Sequence, residues 1–375
     1  MRKTSLLQSI VALATISAFA VEQNMDSQDT QMSSYEIAQT KMITPVASPL
    51  IKNAVDFYLS ADFIYWTAIQ SNQIFATDSF EPSSGTIVND QTWNQGNVYQ
   101  LDGSYSPGFK VGAGLVFDYD GWDLQFQYTW YRTTTSERVT GDYDRQNGIG
   151  LANPYTFVPV FPSGNVLESS RVVRARGRVS YNEFDLNLGR DFFISKKLTL
   201  RPHFGIRAGW INQRLIASWD ITNTLPIGSD WIQMQYEMTQ RRNFWNAGFR
   251  AGMDTSWMFT KNWSIFGDFA LSTLWARITS TRLDVATTTG SGNPFFNVSN
   301  FQTVNRQQKE LQLIPVVEIS MGFRFDWYFS DDYYRFRLQA GWEQEVWIES
   351  TQNSLLARGT NLSLQGFTLK ARFDF

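Results

Sequence analysis

Between residues 56 and 375, apolar and polar side chains alternate with period two in one segment after another. The last ten residues show it most plainly. Phe367, Leu369, Ala371, Phe373 and Phe375 fall on one side of an extended strand, and Thr368, Lys370, Arg372 and Asp374 on the other, because successive strand side chains point to opposite faces. Phe109, Val111, Ala113, Leu115 and Phe117 repeat the pattern opposite Lys110, Gly112, Gly114 and Asp118. Past a tight-turn signal at Asp120-Gly121, Trp122, Leu124, Phe126, Tyr128 and Trp130 continue the apolar face against Asp123, Gln125, Gln127 and Thr129. The segment 57–66 is mixed. Phe57, Leu59, Ala61, Phe63 and Tyr65 alternate with Tyr58, Ser60, Asp62, Ile64 and Trp66, so β-propensity supports a strand there as much as parity does.

Further apolar rows run through Phe184, Leu186 and Leu188; Phe204, Ile206, Ala208 and Trp210; Trp245, Phe249, Met253 and Trp257; Ile265, Phe269, Leu271 and Trp275; Leu313, Ile319, Met321, Phe323 and Trp327; and Phe336, Leu338 and Trp342. The total is about ten strands, within a range of about eight to fourteen, since the long polar connections have room for a further hairpin. Short connections fall near 119–121, 195–197, 260–262 and 330–332, and polar stretches expected to be long loops at 71–106, 133–177, 212–241, 280–309 and 349–360. A soluble sandwich has no reason to sort loops by length in this alternating way. A transmembrane antiparallel β-barrel does, with short periplasmic turns and long extracellular loops, lipid on its apolar face and a polar lumen. The fold predicted is therefore an all-β transmembrane barrel over 56–375.

Composition agrees. Aromatic residues make up 15% of the 375, with 14 Trp, 15 Tyr and 29 Phe, as strands with interfacial aromatic girdles require. Residues 1–20 carry Arg2 and Lys3, an apolar run from Leu6 to Ala20, and the small-residue site Ala18-Phe19-Ala20. That is the pattern of a secretory signal peptide, too short for a spanning helix. Residues 21–55 are polar, with Pro45 and Pro49, and are expected to form a flexible periplasmic lead-in, with a weakly patterned helix at 33–42. No other stretch suits a helical span, so a membrane location demands a closed barrel. Zero cysteines exclude a disulfide framework, and 32 basic against 35 acidic residues leave no footprint for nucleic acid.

An Arg facing lipid at the membrane midplane costs ~2–4 kcal/mol, and the charges respect that limit. Lys110, Glu183, Asp185, Arg201, His203, Arg207, Arg250, Asp268, Glu318, Arg324, Arg335, Arg337, Glu343, Lys370 and Arg372 all take lumen parity and are the candidate pore-lining residues. Asp254, Asp326, Glu345 and Asp374 share it. Interleaved signs suit a water-filled pore of modest ion selectivity; paired with one another, the same charges would plug it. Trp122, Trp130, Trp210, Trp245, Trp257, Trp263, Trp275, Trp327 and Trp342 are placed for interfacial belts.

The segments FYLSADFIYWTA (57–68), PGFKVGAGLVFDYDGWDLQFQYTWY (107–131), YNEFDLNLGRDFF with LTLRPHFGIRAGW (181–210) and FWNAGFRAGMDTSW with WSIFGDFALSTLWA (244–276) resemble the pore-forming, major-outer-membrane-protein-like family of Legionella and environmental Chlamydia-related bacteria. The resemblance implies an outer-membrane porin passing small hydrophilic solutes by diffusion. It transfers no functional residue, and the lack of cysteine argues against a disulfide-crosslinked envelope role. A terminal strand ending in Phe375 also resembles the signal read by barrel-assembly machinery. The expected partners are outer-membrane lipid, that machinery and small solutes; whether the barrel forms a homo-oligomer is left open.

Two other functions compete. An outer-membrane hydrolase needs a His activating water or a Ser near the outer rim or on the lipid face, whereas His203, the only histidine, has lumen parity beside the periplasmic turn. A structural barrel or adhesin would instead use its long loops to bind a host partner. Gly112-Ala113-Gly114 lies within a strand and gives room inside the lumen rather than a dinucleotide loop. Asn262-Trp263-Ser264 and Asn297-Val298-Ser299 match a glycosylation pattern that means little in a bacterial protein, and Asp331-Asp332 is read as a solvated turn in preference to a calcium site. No cofactor or metal is expected.

Overall fold

The computed structural model describes residues 55–71, 73–79, 96–117, 121–141, 150–152, 170–224, 231–290, 300–330, 334–348 and 361–375. The expected signal peptide, the proposed helix at 33–42, Asp118, Asn297 and Asp331-Asp332 lie outside the described residues. Ten antiparallel strands form one ring: β1 Val55–Gln70, β2 Tyr105–Phe117, β3 Trp122–Thr140, β4 Val172–Arg190, β5 Leu198–Thr224, β6 Trp231–Met258, β7 Trp263–Gly290, β8 Asn300–Phe329, β9 Tyr334–Trp347 and β10 Leu362–Asp374. Each pairs with its sequence neighbours, and β1 pairs with β10 from Tyr58↔Asp374 to Gln70↔Leu362, so no edge remains.

In the half next to the short turns, parity works as the sequence indicates. Phe57, Leu59, Phe63 and Tyr65 point outward and are exposed, whereas Tyr58, Ser60 and Asp62 point inward and are buried. Trp210, Trp245, Trp257, Trp263, Trp275, Trp327 and Trp342 stand on the outer surface. Gly112 and Gly114 make the room foreseen for them: a Cβ at 114 would lie 2.1 Å from the Tyr58 ring, and one at 112 would lie 2.7 Å from Ser60 Oγ. At the β2–β3 connection Gly121 takes φ 72°, which only glycine adopts at little cost.

The polar stretches expected as loops correct the sequence reading. Residues 212–224, 231–241, 280–290 and 300–309 belong to β5 to β8, which run for 27, 28, 28 and 30 residues. A tilted strand crosses a bilayer in about 9–11 residues. These four therefore extend roughly 70 Å along the barrel axis at ~3.3 Å per residue and ~40° tilt, against an apolar band of about 25 Å. Likewise β3 reaches Thr140 and β4 starts at Val172, within the expected 133–177 loop.

Beyond the membrane the period of two survives, but its phase inverts. On β5, Asn212 and Arg214 face out, while Ile211, Leu215, Ala217 and Trp219 are buried inside. On β7, Arg277 faces out between buried Ala276 and Ile278. Water, unlike lipid, solvates the outer polar groups, so the projecting half folds like a soluble sheet around an interior that is largely apolar but also buries the Arg282–Asp284 pair.

A second, small sheet of Ile74–Ser79, Val98–Gln100 and Gly150–Ala152 accompanies the ring. Phe75, Ala76, Leu101 and Leu151 pack against Val173, Leu215, Trp219, Tyr236 and Met238, so this part of the expected 71–106 loop is turned into the barrel mouth.

Candidate functional site in the barrel interior

Strand parity brings all fifteen sequence-predicted residues to the inner face, and strand register sets them in tiers. Nearest the short turns, Arg335 donates to both oxygens of Asp374 at 3.0 Å, and Arg372 donates to the same carboxylate at 2.5 and 2.9 Å. The Arg372 guanidinium carbon lies 3.5 Å from the Tyr58 ring centre. Arg337 reaches Asp326 at 2.6 Å, and Arg201 bridges Asp123 (2.5 and 2.8 Å) to Asp254 (2.6 Å). Arg324 lies over Phe266, its guanidinium carbon 5.5 Å from the ring centre, and donates to the Gln339 amide oxygen at 2.9 and 2.8 Å once that amide is oriented to accept.

One tier further in, Arg207 donates twice to Asp185 (2.6 and 3.1 Å) and once each to Glu345 and Glu318 at 3.0 Å. Arg250 holds Glu318 at 2.8 and 3.1 Å and donates from Nη1 to His203 Nε2 at 3.1 Å. Because an arginine only donates, Nε2 must accept, which leaves the ring proton on Nδ1, 3.4 Å from Asp254 Oδ1. Lys110 is paired with Glu343, and Lys370 lies 4.0 Å from Asp62, to which both lysines are in register. Asp268 accepts from Ser320 at 3.0 Å, and the fully buried Glu183 from Asn246 at 2.7 Å. A cavity of ≈130 Å³ opens among these groups, lined by Asp62, Lys110, Gln127, His203, Arg250 and Asp268 among others.

Outside the spanning strands, Asp191 joins β4 to the Phe192–Phe193 pair. Burial pushes its carboxyl above the ordinary value, against the opposing pull of Arg201.

Above the charged tiers the interior turns apolar. Ile64, Trp66, Tyr131, Val179, Tyr181, Ile211, Phe244, Leu274, Ala276, Ile278, Ile314, Val316, Trp347, Leu362 and Leu364 form one buried cluster, contributed by every strand except β2. Glu345 ties the two zones together, accepting from Tyr181 at 2.9 Å and from Trp347 Nε1 at 2.8 Å as well as from Arg207. Sequence reasoning missed this layer by expecting a charged lumen along its whole length. The available signals were Ile64 and Trp66 on the polar register of β1 and the swapped phase of β5 and β7.

A closed ten-strand ring with aromatic residues toward lipid and ion pairs inside defines an outer-membrane β-barrel. The chain belongs to the family described as the Legionella pneumophila major outer membrane protein precursor, which matches residues 48–375. No curated protein sequence matches it significantly. Among solved structures, it is similar to the outer membrane protease OmpT of Escherichia coli, at 12% identity and TM-score 0.34, covering 88% of this chain and 99% of that one. A Pseudomonas aeruginosa FadL homologue shows 8% identity and TM-score 0.25 over 86% and 90%. A major outer membrane protein of Thermus thermophilus shows 14% and 0.23 over 70% and 98%. At such low identity, no activity passes from these proteins to this chain.

Proposed function

We propose that this barrel is an outer-membrane porin for small hydrophilic solutes, closed in the conformation described. The observation that carries the reading is the polar cavity of ≈130 Å³ inside a barrel of this family, lined by charges of both signs. Above it, the apolar layer consists of side chains on the barrel strands themselves. Passage requires those side chains to part, since an apolar constriction gates by excluding water. Catalysis has no place in this reading: His203 is 7% exposed, between Arg250 and Asp254. Residues 1–20 serve as the export signal, which amino-terminal sequencing of the membrane-inserted protein checks.

Planar-bilayer recording of the refolded protein tests the proposal, with small, infrequent conductance steps expected. Silence from barrels shown to be folded overturns it. That outcome favours a structural barrel or adhesin, a second reading supported by the inverted, core-like extracellular half.

A further inference from the structure

The short connections are not alike. β4–β5 runs through Ser195-Lys196-Lys197 and β6–β7 through Thr260-Lys261-Asn262, whereas β2–β3 reads Asp118-Tyr119-Asp120-Gly121 and β8–β9 reads Ser330-Asp331-Asp332. Three of the chain's nine lysines thus stand on two neighbouring turns, with acidic turns on either flank. The two basic turns touch, Met258 N donating to Lys197 O at 2.7 Å.

Both turns are held by a hydroxyl. Ser195 Oγ accepts from the backbone of Lys197 and Leu198 at 3.2 and 3.1 Å, and Thr260 Oγ1 from that of Asn262 and Trp263 at 3.3 and 3.0 Å. Lys196, Lys197 and Lys261 are exposed, and the Lys261 ammonium lies 5.4 Å from the centre of the Tyr328 ring. Directly outward stand Ile194, Trp257, Phe259 and Trp263, between 48% and 58% exposed.

We propose that this rim, spanning the turn ends of β4 to β7, binds the phosphate headgroups of anionic phospholipids in the inner leaflet. The exposed rings and Ile194 take the acyl chains, and the three lysines take the headgroups. A cluster of cations beside a lipid-facing apolar belt fits that amphiphile in both charge and depth. Free phosphate would leave the apolar half of the rim without a role. Lipid capture here needs only the barrel and its periplasmic turn side, not a conducting lumen, so it is judged separately from conductance.

The test uses the full-length barrel reconstituted in mixed phosphatidylglycerol and phosphatidylethanolamine, with retained lipid counted by native mass spectrometry. Selective retention of phosphatidylglycerol is expected. Its affinity should fall roughly fivefold for each lysine removed in the series to K196Q/K197Q/K261Q. R306Q/K309Q, at the far end of β8, should leave retention unchanged, and heat-modifiable migration confirms that each variant folds. Equal retention of the two lipids overturns the proposal. So does undiminished retention by the triple variant, an equal loss in R306Q/K309Q, or displacement by inorganic phosphate at matched ionic strength.

Discussion

Arg207 is the residue on which the charged tiers turn, because one 3% exposed guanidinium serves Asp185, Glu318 and Glu345 together. Breaking a buried pair by removing one partner leaves uncompensated charge and costs about 3–5 kcal/mol. Arg207→Ala is therefore expected to lower the unfolding free energy obtained from urea titration of the folded barrel by that order, and Arg207→Lys to recover only part of it, since an ammonium lacks the fork that meets Asp185 twice. A second expectation concerns Trp347, buried at the junction of the two zones and touching Phe244 and Tyr181 edge-on at 6.0 and 6.1 Å. Replacing Trp347 and Phe244 by alanine should widen the apolar layer and give larger, longer conductance steps in planar bilayers, with each truncation destabilising the barrel by about 3–5 kcal/mol. At this scale the inward orientation of the charges was legible, because lipid forbids the alternative. Their pairing was not: parity places Arg207 and Glu345 in one interior but says nothing of which residues meet across it.

Among the elements, β10 shows how far an alternating pattern reaches. Its apolar face and its lipid side follow from residues 366–375, whereas its place beside β1 is seen in the pairing, where Phe375 adds a backbone bond to Phe57 O at 2.9 Å and ring contacts with Phe57 and Phe373 at 5.8 and 4.8 Å. Removing Phe375 is expected to lower the heat-modifiable, membrane-inserted fraction, measured by gel shift in isolated outer membranes, while chains that do fold keep a near-normal urea midpoint. β5 to β8 were only half legible. Their membrane halves stand out through Phe204, Phe249, Phe269 and Phe323, but their distal halves look like loops because Asn212, Arg214 and Arg277 occupy the register that lipid-facing residues held a few positions earlier. The chain keeps its pleat and changes its solvent, and a reader tracking the apolar face alone loses the strand at that point.

As a whole molecule, the protein joins two barrels of differing polarity end to end: one apolar outside and ionic within, the other polar outside and largely apolar within, around a buried Arg282–Asp284 pair at 2.7 Å. The distal part should therefore unfold as an ordinary hydrophobic core does. Substituting Met238, which is fully buried there, with aspartate is expected to expose the distal strands to protease while the membrane half stays protected, read as a discrete core fragment after limited proteolysis. The seam carries a further consequence. β1 finds one of its two neighbours only in the thirteen-residue strand Leu362–Asp374, so nothing can close until the ribosome has passed that point. Until then the strands already made form an open sheet in which β1 lacks its second neighbour. Chains cut short before residue 362 are expected to give no heat-modifiable species by gel shift, instead of accumulating as smaller cylinders.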